Sequence, residues 1–158
     1  MADRGLCTRE EIPAEAKWAI EDLYKNDDEW EADFTRLKEH LPELSAYEGR
    51  LGESAQTLLS MQRLCDKMNM LAEKVYVYAN QRYHDDTGNS FYQGLAGKAL
   101  ALSLLLDSAV VFEEPELLAI GEDTIELWFS QNPDMELYRR YFYELFRQKE
   151  HVLSKEEE

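Results

Sequence analysis

The stretch at positions 54–84, SAQTLLSMQRLCDKMNMLAEKVYVYANQRYH, decides the fold. It contains neither Pro nor Gly. Its apolar residues recur at steps of three and four, which places them on one broad face of a long helix. A helix this long cannot bury such a face alone, so the other segments are expected to cover it. The face comprises Met61, Cys65, Met68, Ala72, Val75 and Ala79, with Leu64, Leu71 and Tyr78 beside them.

The segments before this helix predict an arm and one interrupted helix. Residues 1–25 are interpreted as an N-terminal arm, because Pro13 blocks an early helix and the apolar residues are irregularly spaced. Trp18 and Tyr24 are its expected anchors. Asn26 and Glu29 have the spacing of a helix-capping pair, which predicts a helix start there. Pro42 is expected to interrupt that helix, leaving a second short piece that Gly49 ends.

The segments after the long helix also predict helices. Gly88 is a plausible stop, and Asn89 or Ser90 restarts the chain. The next helix is so rich in leucine that it should be enclosed on most sides. The VYVY alternation at 75–78 lies within a helical period, so no strand is predicted. The fold is therefore expected to be all-α, an antiparallel bundle of five to seven helices. Further helices are expected from Pro115 to Gly121, from Glu122 to Ser130 and, after Asn132-Pro133, from Asp134 to Lys149.

Composition and charge limit the classes of partner. The chain has 158 residues, a hydrophobic content of 44% and a formal net charge of −16, which suits one globular domain. This charge repels nucleic acid and anionic membranes, so neither is expected as a partner. The polar start resembles no signal peptide, and the apolar run at 99–112 is too short to span a bilayer. A reduced cytoplasmic protein is expected.

The residues that could carry chemistry form no recognisable active site. Cys65 is interpreted as a small buried hydrophobe, and its only companion is Cys7. None of His40, His84 and His151 begins the H-E-x-x-H that binds zinc on one helix. No G-x-S-x-G or Gly-rich phosphate loop is present. No catalytic, cofactor-binding or metal residue is therefore predicted, and the substrate-binding residues are unknown.

Two polar segments have more than one interpretation. His84-Asp85-Asp86 could offer metal ligands, but adjacent residues rarely point at one ion, so a polar helix end is favoured. Carboxylate runs such as Glu113-Glu114 are interpreted as solvated or capping charge. Ser154 and Glu157 have capping spacing, as if 154–158 began a new helix, but on spacing alone a solvated acidic tail is favoured.

A series of short motifs resembles the N-terminal helical region of oligoendopeptidase F, a thimet-oligopeptidase-like M3 zinc peptidase family. Each motif is weak by itself, but their order and spacing over nearly the whole chain are specific. The motifs are Glu11-Ile12-Pro13, Lys17-Trp18, Leu23-Tyr24, Trp30-Glu31, Tyr47-x-Gly49-x-Leu51, Tyr76-x-Tyr78-Ala79, Asp85 or Asp86, Ser90-x-Tyr92-Gln93, Pro115-Glu116-Leu117, Tyr138-Arg139-x-Tyr141, Arg147-x-Lys149-x-His151 and Leu153-Ser154.

The resemblance implies a large two-lobed helical metallopeptidase around a deep channel. In that family an H-E-x-x-H helix and a downstream Glu supply the zinc site and the base in the later part of the chain. This sequence contains neither, so it would be a non-catalytic lobe, residues 1–158, that walls the channel and restricts substrates to oligopeptides. His151 matches a family position that is not a zinc ligand. On this view residues 154–158 are the start of a cut helix.

The resemblance also names partners, and one alternative stays open. The lobe would need the missing C-terminal catalytic lobe of the same polypeptide, with zinc in that parent and none in this fragment. Phe142 and Phe146 are expected to form an apolar face for self-association. The segment Arg82 to Asp86 is the first candidate for a polar face turned to the channel. The alternative is a stand-alone acidic helical module that binds a basic partner peptide. A small stand-alone hydrolase has no motif in its favour.

Overall fold

A computed structural model describes residues 11–148, and within that range the chain is all-α, as predicted. Six α-helices, within the expected five to seven, and three short 3₁₀ turns occur among the described residues, which contain no strand. The helices are α1 (Asp27–Ser45), α2 (Ala55–Asp85), α3 (Ser90–Ala109), α4 (Glu113–Ile120), α5 (Glu122–Gln131) and α6 (Arg139–Gln148), with 3₁₀ turns at Ala14–Ala16, Ile20–Asp22 and Pro133–Tyr138.

Helix α2 is the long helix that the opening stretch predicted. It has 31 residues. The Ser54 side-chain oxygen accepts a hydrogen bond from the Thr57 backbone N–H (3.1 Å), which satisfies one of the free donors of the first turn. Its apolar series is buried over the whole length of the helix, from Leu58 to Tyr78 and Ala79. The VYVY segment is helical, with Val75 and Tyr78 in the core.

The chain divides into two compact units that alternate along the sequence. Unit 1 comprises Met1–His40 and Met68–Leu106, and unit 2 comprises Leu41–Lys67 and Asp107–Glu158. Helix α2 therefore contributes its first part to unit 2 and the remainder to unit 1. The antiparallel order of the bundle stays a prediction.

In unit 1, the start of α1 is fixed onto α2 through one buried tryptophan. Trp30 is fully buried, and its indole N–H donates to the Val75 carbonyl oxygen at 2.8 Å. Its ring also stacks on Phe34, with centroids 5.1 Å apart. The N–H would be unpaired in the core without this bond, so the contact sets the register of α1 on α2 as well as burying apolar surface.

The start of α1 and the arm only partly match the sequence prediction. The Glu29 backbone N–H donates to the Asn26 side-chain oxygen (2.9 Å), but the Glu29 carboxylate accepts from the Lys25 backbone N–H rather than from that of Asn26. In the arm, Tyr24 is buried as expected. Trp18 is not an anchor, because 68% of it is exposed.

Helix α1 is not interrupted at Pro42, which corrects the prediction of two pieces. Pro42 lies inside the helix, and its carbonyl oxygen still accepts the Ala46 backbone N–H at 3.1 Å. The helix keeps its path because Leu37 and Leu44, on either side of Pro42, are both fully buried. Packing of these leucines therefore offsets the one lost backbone hydrogen bond. Gly49 then takes a φ of 76°, which suits the predicted stop.

The turn between α2 and α3 uses a different residue from the one predicted. Gly88 is not in the left-handed region, which among the described glycines is confined to Gly49 and Gly121. The turn is made instead by Asp86, whose carboxylate accepts the Gly88 N–H at 3.2 Å. Asn89 then caps α3 by accepting the Phe91 N–H at 3.0 Å.

Helix α3 is far more exposed than its composition predicted. Only Leu95, Ala99, Leu102 and Leu106 of this helix are buried. The expected enclosure is wrong, because within the described structure α3 is covered along one narrow stripe. By length and composition alone, residues 90–120 are long and apolar enough to cross a membrane, whereas the shorter run 99–112 was expected to be too short. Core helices of soluble proteins share that length and composition but are mostly buried, and 28% of the most apolar window is buried here.

In unit 2, a carboxylate from α4 organises the loop that leads into α2. The Glu116 carboxylate accepts the backbone N–H groups of Gly49 and, at 3.2 Å, of Leu51. Leu51 itself and Leu117, the residue after Glu116, are fully buried. Helix α4 begins at Glu113, two residues before the predicted Pro115, and ends at Gly121 (φ 86°) as predicted.

The last helical region differs in form from the single helix expected from Asp134. It opens as a 3₁₀ turn, Pro133–Tyr138, and continues as α6. Phe142 is buried against Phe129, with centroids 5.8 Å apart, so the expected self-association face is not exposed at that residue. Cys7, His151, Lys149 and the segment 154–158 lie outside the described residues.

The Trp30 contact predicts a specific loss of stability. Trp30→Phe keeps a ring in the core but removes the N–H donor to Val75 and leaves a small cavity. We expect the free energy of unfolding to fall by about 1–3 kcal/mol. The matched control Trp18→Phe alters a mostly exposed ring and should stay within about 0.5 kcal/mol of wild type. Urea unfolding followed by circular dichroism measures both, and equal losses would contradict the role of Trp30.

Candidate functional site

Near the C-terminal end of α2, the positively charged side chain of Arg82 lies close to two aromatic rings. The Arg82 guanidinium carbon lies 5.2 Å from the ring centroid of Tyr78 and 5.8 Å from that of Tyr92. One guanidinium nitrogen is 3.6 Å from the Glu21 carboxylate, and the side chain is only 17% exposed. The buried Nε has no hydrogen-bond partner among the described residues. The arrangement holds Arg82 in place by cation–π and ionic attraction.

Two buried tyrosines next to Arg82 donate to carboxylates of α1. The Tyr24 hydroxyl donates to Asp33 (3.0 Å) and the Tyr78 hydroxyl to Asp27 (2.9 Å), while the two rings meet edge to face. Burial raises the pKa of Tyr24, and the hydrogen bond to Asp33 raises it further. Burial likewise raises the pKa of Tyr78. Both phenols therefore stay protonated and act as fixed donors, which suits a structural role.

A cleft of about 310 Å³ lies beside this end of α2. Gln81, His84 and Asp85 line it from α2, and Lys17 and Trp18 line it from the arm. His84 is exposed, and its ring is tilted against that of Tyr83 at 5.3 Å. The structure thus brings two residues of the predicted polar segment 82–86, His84 and Asp85, to a cleft, and no second histidine lines it among the described residues.

The residues that the structure describes do not fit a zinc ion. Among residues 11–148, no group of three His, Cys, Asp or Glu side chains is close enough to hold a metal. In the whole sequence, none of the three histidines begins H-E-x-x-H. A zinc site therefore has no donor set within the described part of this chain, and no chemical step is assigned to a metal here.

A second polar cluster, in unit 2, surrounds Glu113. Its carboxylate oxygen Oε1 accepts the Gln62 side-chain N–H at 2.6 Å and the Tyr141 hydroxyl at 2.9 Å. Burial raises the pKa of Glu113, and the two hydrogen bonds lower it by less. Burial and the nearby Glu113 carboxylate together raise the pKa of Tyr141 well above its ordinary range.

This cluster was not predicted from the sequence, where Glu113-Glu114 is interpreted as solvated or helix-capping charge; Glu113 does lie in the first turn of α4, but its carboxylate is also bound by Gln62 and Tyr141. The available signal was Gln62, a polar residue within the apolar series of α2 that is only 6% exposed. A buried amide needs a partner, and Glu113 supplies it. Cys65 lies on the same helix, and burial raises its pKa to about 12, so its thiol is not an activated nucleophile. The cluster can hold a proton but contains no group poised to attack a substrate.

The Glu113 cluster predicts a pH-dependent stability. With a raised folded-state pKa, Glu113 binds a proton more tightly in the folded chain, so it makes the free energy of unfolding fall as pH rises through that window. Glu113→Gln can keep both hydrogen bonds and lacks this titration. Its stability relative to wild type should therefore increase from about pH 4 to pH 7.

Glu113→Ala serves as the contrasting variant. It leaves the Gln62 amide and the Tyr141 hydroxyl unpaired and should lower the free energy of unfolding by about 1–3 kcal/mol. Urea unfolding at several pH values measures both variants. A Glu113→Gln stability that falls relative to wild type as pH rises would contradict the assignment.

Comparison with known proteins finds relatives that match nearly the whole chain. The family described as Oligopeptidase F matches residues 116–158. Oligopeptidase PepF of Bacillus subtilis is 38% identical over 153 residues, which is 97% of this chain and 23% of that protein. Group B oligopeptidase PepB of Streptococcus agalactiae is 31% identical over 150 residues, covering 95% of this chain and 25% of its own length.

A solved structure agrees with the sequence relatives. The crystal structure of oligoendopeptidase-F from Enterococcus faecium superposes with a TM-score of 0.73 at 32% identity, over 83% of this chain and 26% of that one. The chain thus spans about a quarter of the length of the relatives it matches. The chain belongs to the oligoendopeptidase F family and corresponds to the N-terminal region of its members.

Proposed function

We propose that this chain is the non-catalytic N-terminal lobe of a zinc metallopeptidase, where it walls the substrate channel and limits substrates to oligopeptides. The observation that carries the proposal is the alignment of 97% of the chain with only 23% of a relative named an oligopeptidase. The sequence itself has no H-E-x-x-H. The catalytic groups of such an enzyme would then belong to polypeptide beyond these 158 residues.

The described side chains support a structural rather than a catalytic role. Arg82 is held between two rings, Tyr24 and Tyr78 are fixed donors, and Glu113 is occupied by two hydrogen bonds. Such contacts rigidify a helical scaffold but leave no nucleophile or base aligned with a substrate. A rigid wall is what exclusion of full-size proteins from a channel requires. The cleft at Gln81 and His84 is the part of this wall that we assign to contact with the peptide.

The acidic surface bears on both the setting and the alternative function. A net charge of −16 disfavours nucleic acid and anionic membranes as partners, and a reduced cytoplasmic setting is part of the proposal. The same charge would suit a stand-alone module that binds a basic peptide. The two functions differ in what the gene encodes after Glu158 and in whether the product cleaves peptides.

The test compares the 158-residue chain with the product of its gene at full encoded length. We expect the longer protein to carry H-E-x-x-H, to cleave a quenched fluorescent oligopeptide and to lose that turnover with a chelator. We expect the 158-residue chain to show no turnover above a chelator-treated blank. We also expect the longer protein to leave an unfolded full-size protein uncleaved.

Three results would overturn the proposal or part of it. Chelator-sensitive turnover by the 158-residue chain would show that the lobe is catalytic. A stop codon directly after Glu158 would leave the interaction module as the better function. Equal cleavage of oligopeptides and of an unfolded full-size protein by the long form would remove the size-limiting role.

A further inference from the structure

One side of α3 is both apolar and exposed, and we call it the α3 outer face. Leu100, Leu104 and Leu105 are 51%, 61% and 50% exposed, whereas the leucines of the buried stripe are almost fully covered. Leaving three leucines half in water on one helix is unfavourable unless another surface covers them. The face consists of Gly94, Gly97, Leu100, Ala101, Leu104 and Leu105.

The α3 outer face is uncharged in a strongly charged protein. Asp, Glu, Lys and Arg make up 32% of the chain, yet between positions 90 and 106 the only such residue is Lys98. Its ammonium group lies 3.4 Å from the Glu31 carboxylate. Solvent-facing helix surfaces elsewhere in this chain carry many carboxylates, so the absence of charge here indicates a surface that is covered by protein.

The two glycines of this face have no packing reason within the described structure. A Cβ added at Gly94 or Gly97 would meet no atom within 4 Å, and neither glycine takes a positive φ. Glycine in a helix interior nevertheless costs about 1 kcal/mol relative to alanine. Small residues there are useful when another helix approaches closely, and that helix is not among residues 11–148.

We propose that the α3 outer face is the docking surface for an apolar helix from the later part of the same polypeptide. This inference rests on the proposed function, which supplies that later part. The chain covers only about a quarter of the relatives it matches, so they contain roughly three times as much further polypeptide that could cover this face. A second copy of the chain is disfavoured because each copy carries a net charge of −16.

The test measures the accessibility of one thiol placed on the face. Leu104→Cys is made in a Cys7→Ser background, where the remaining Cys65 is buried and reacts slowly because burial raises its pKa. Maleimide labelling is timed in the 158-residue chain and in the gene product of full encoded length. Glu39→Cys, on an exposed position of α1 in the same unit, is the control.

We expect Leu104→Cys to label at least about 10-fold more slowly in the long protein than in the short chain, with Glu39→Cys nearly unchanged. Adding Gly97→Leu should leave the folding of the short chain intact, because Gly97 is exposed and a Cβ there meets no atom within 4 Å. In the long protein the same change should restore fast labelling of Leu104→Cys, because the new side chain occupies the space of the docked helix.

Several outcomes would overturn the inference. Fast labelling in both proteins would leave the face uncovered. Labelling of the short chain that slows with its own concentration would assign the face to a second copy, and slowing by phosphatidylcholine vesicles would assign it to lipid. Labelling of the long protein that Gly97→Leu does not accelerate would place the protecting surface elsewhere.

The proposed function is judged separately by peptide hydrolysis in the same long protein. Protection of Leu104→Cys without hydrolysis would defeat the proposed function and keep the docking surface. Hydrolysis without protection would defeat the docking surface and keep the proposed function. A reading frame that ends at Glu158 would remove the occupant and so defeat both.

Discussion

The rest of the structure depends on the need to cover one 31-residue helix along its whole length. Helix α2 is buried from Leu58 to Ala79, and an isolated helix in water would leave all of that surface exposed. Unit 2 covers the first part and unit 1 the second, and each unit adds polar contacts to its own part. Trp30 donates to Val75 in unit 1, and Gln62 donates to Glu113 in unit 2.

Carboxylates in this protein are bound by tyrosine hydroxyls as well as by lysines and arginines. The chain has 33 acidic residues and only 17 lysines and arginines, so one-to-one pairing would leave 16 carboxylates without a cation. Four tyrosines donate to carboxylates instead: Tyr24 to Asp33, Tyr78 to Asp27, Tyr138 to Asp66 and Tyr141 to Glu113. Phenols paired in this way stay protonated, since burial raises the pKa of each one, to about 12 for Tyr138. An acidic protein can supply its carboxylates with hydrogen-bond donors by this means without adding positive charge.

Local sequence signals predicted the elements well, whereas burial was predicted less well. Gly49 and Gly121 act locally, each through a positive φ angle, and both were identified as helix stops from neighbouring residues alone. Pro42 was misjudged because distant packing of Leu37 and Leu44 outweighs its local effect. The exposure of α3 was missed for the reverse reason: composition shows that a helix is apolar but not which polypeptide covers it. In the candidate sites, the polar end at Arg82 was anticipated, and Glu113 was not, because its partners lie 51 and 28 residues away.

The alternation of the two units along the chain has a consequence for how the protein can be divided. The backbone passes between the units at 40/41, 67/68 and 106/107. Any contiguous segment that contains one complete unit therefore also contains part of the other, and a single proteolytic cut cannot release either unit alone. In each unit, folding must bring together two segments that are separated in sequence by a segment of the other unit. When that intervening segment becomes ordered, the loop that remains to be closed is shorter. The 158 residues are best regarded as one piece for expression, for deletion design and for exchange with the equivalent quarter of a relative.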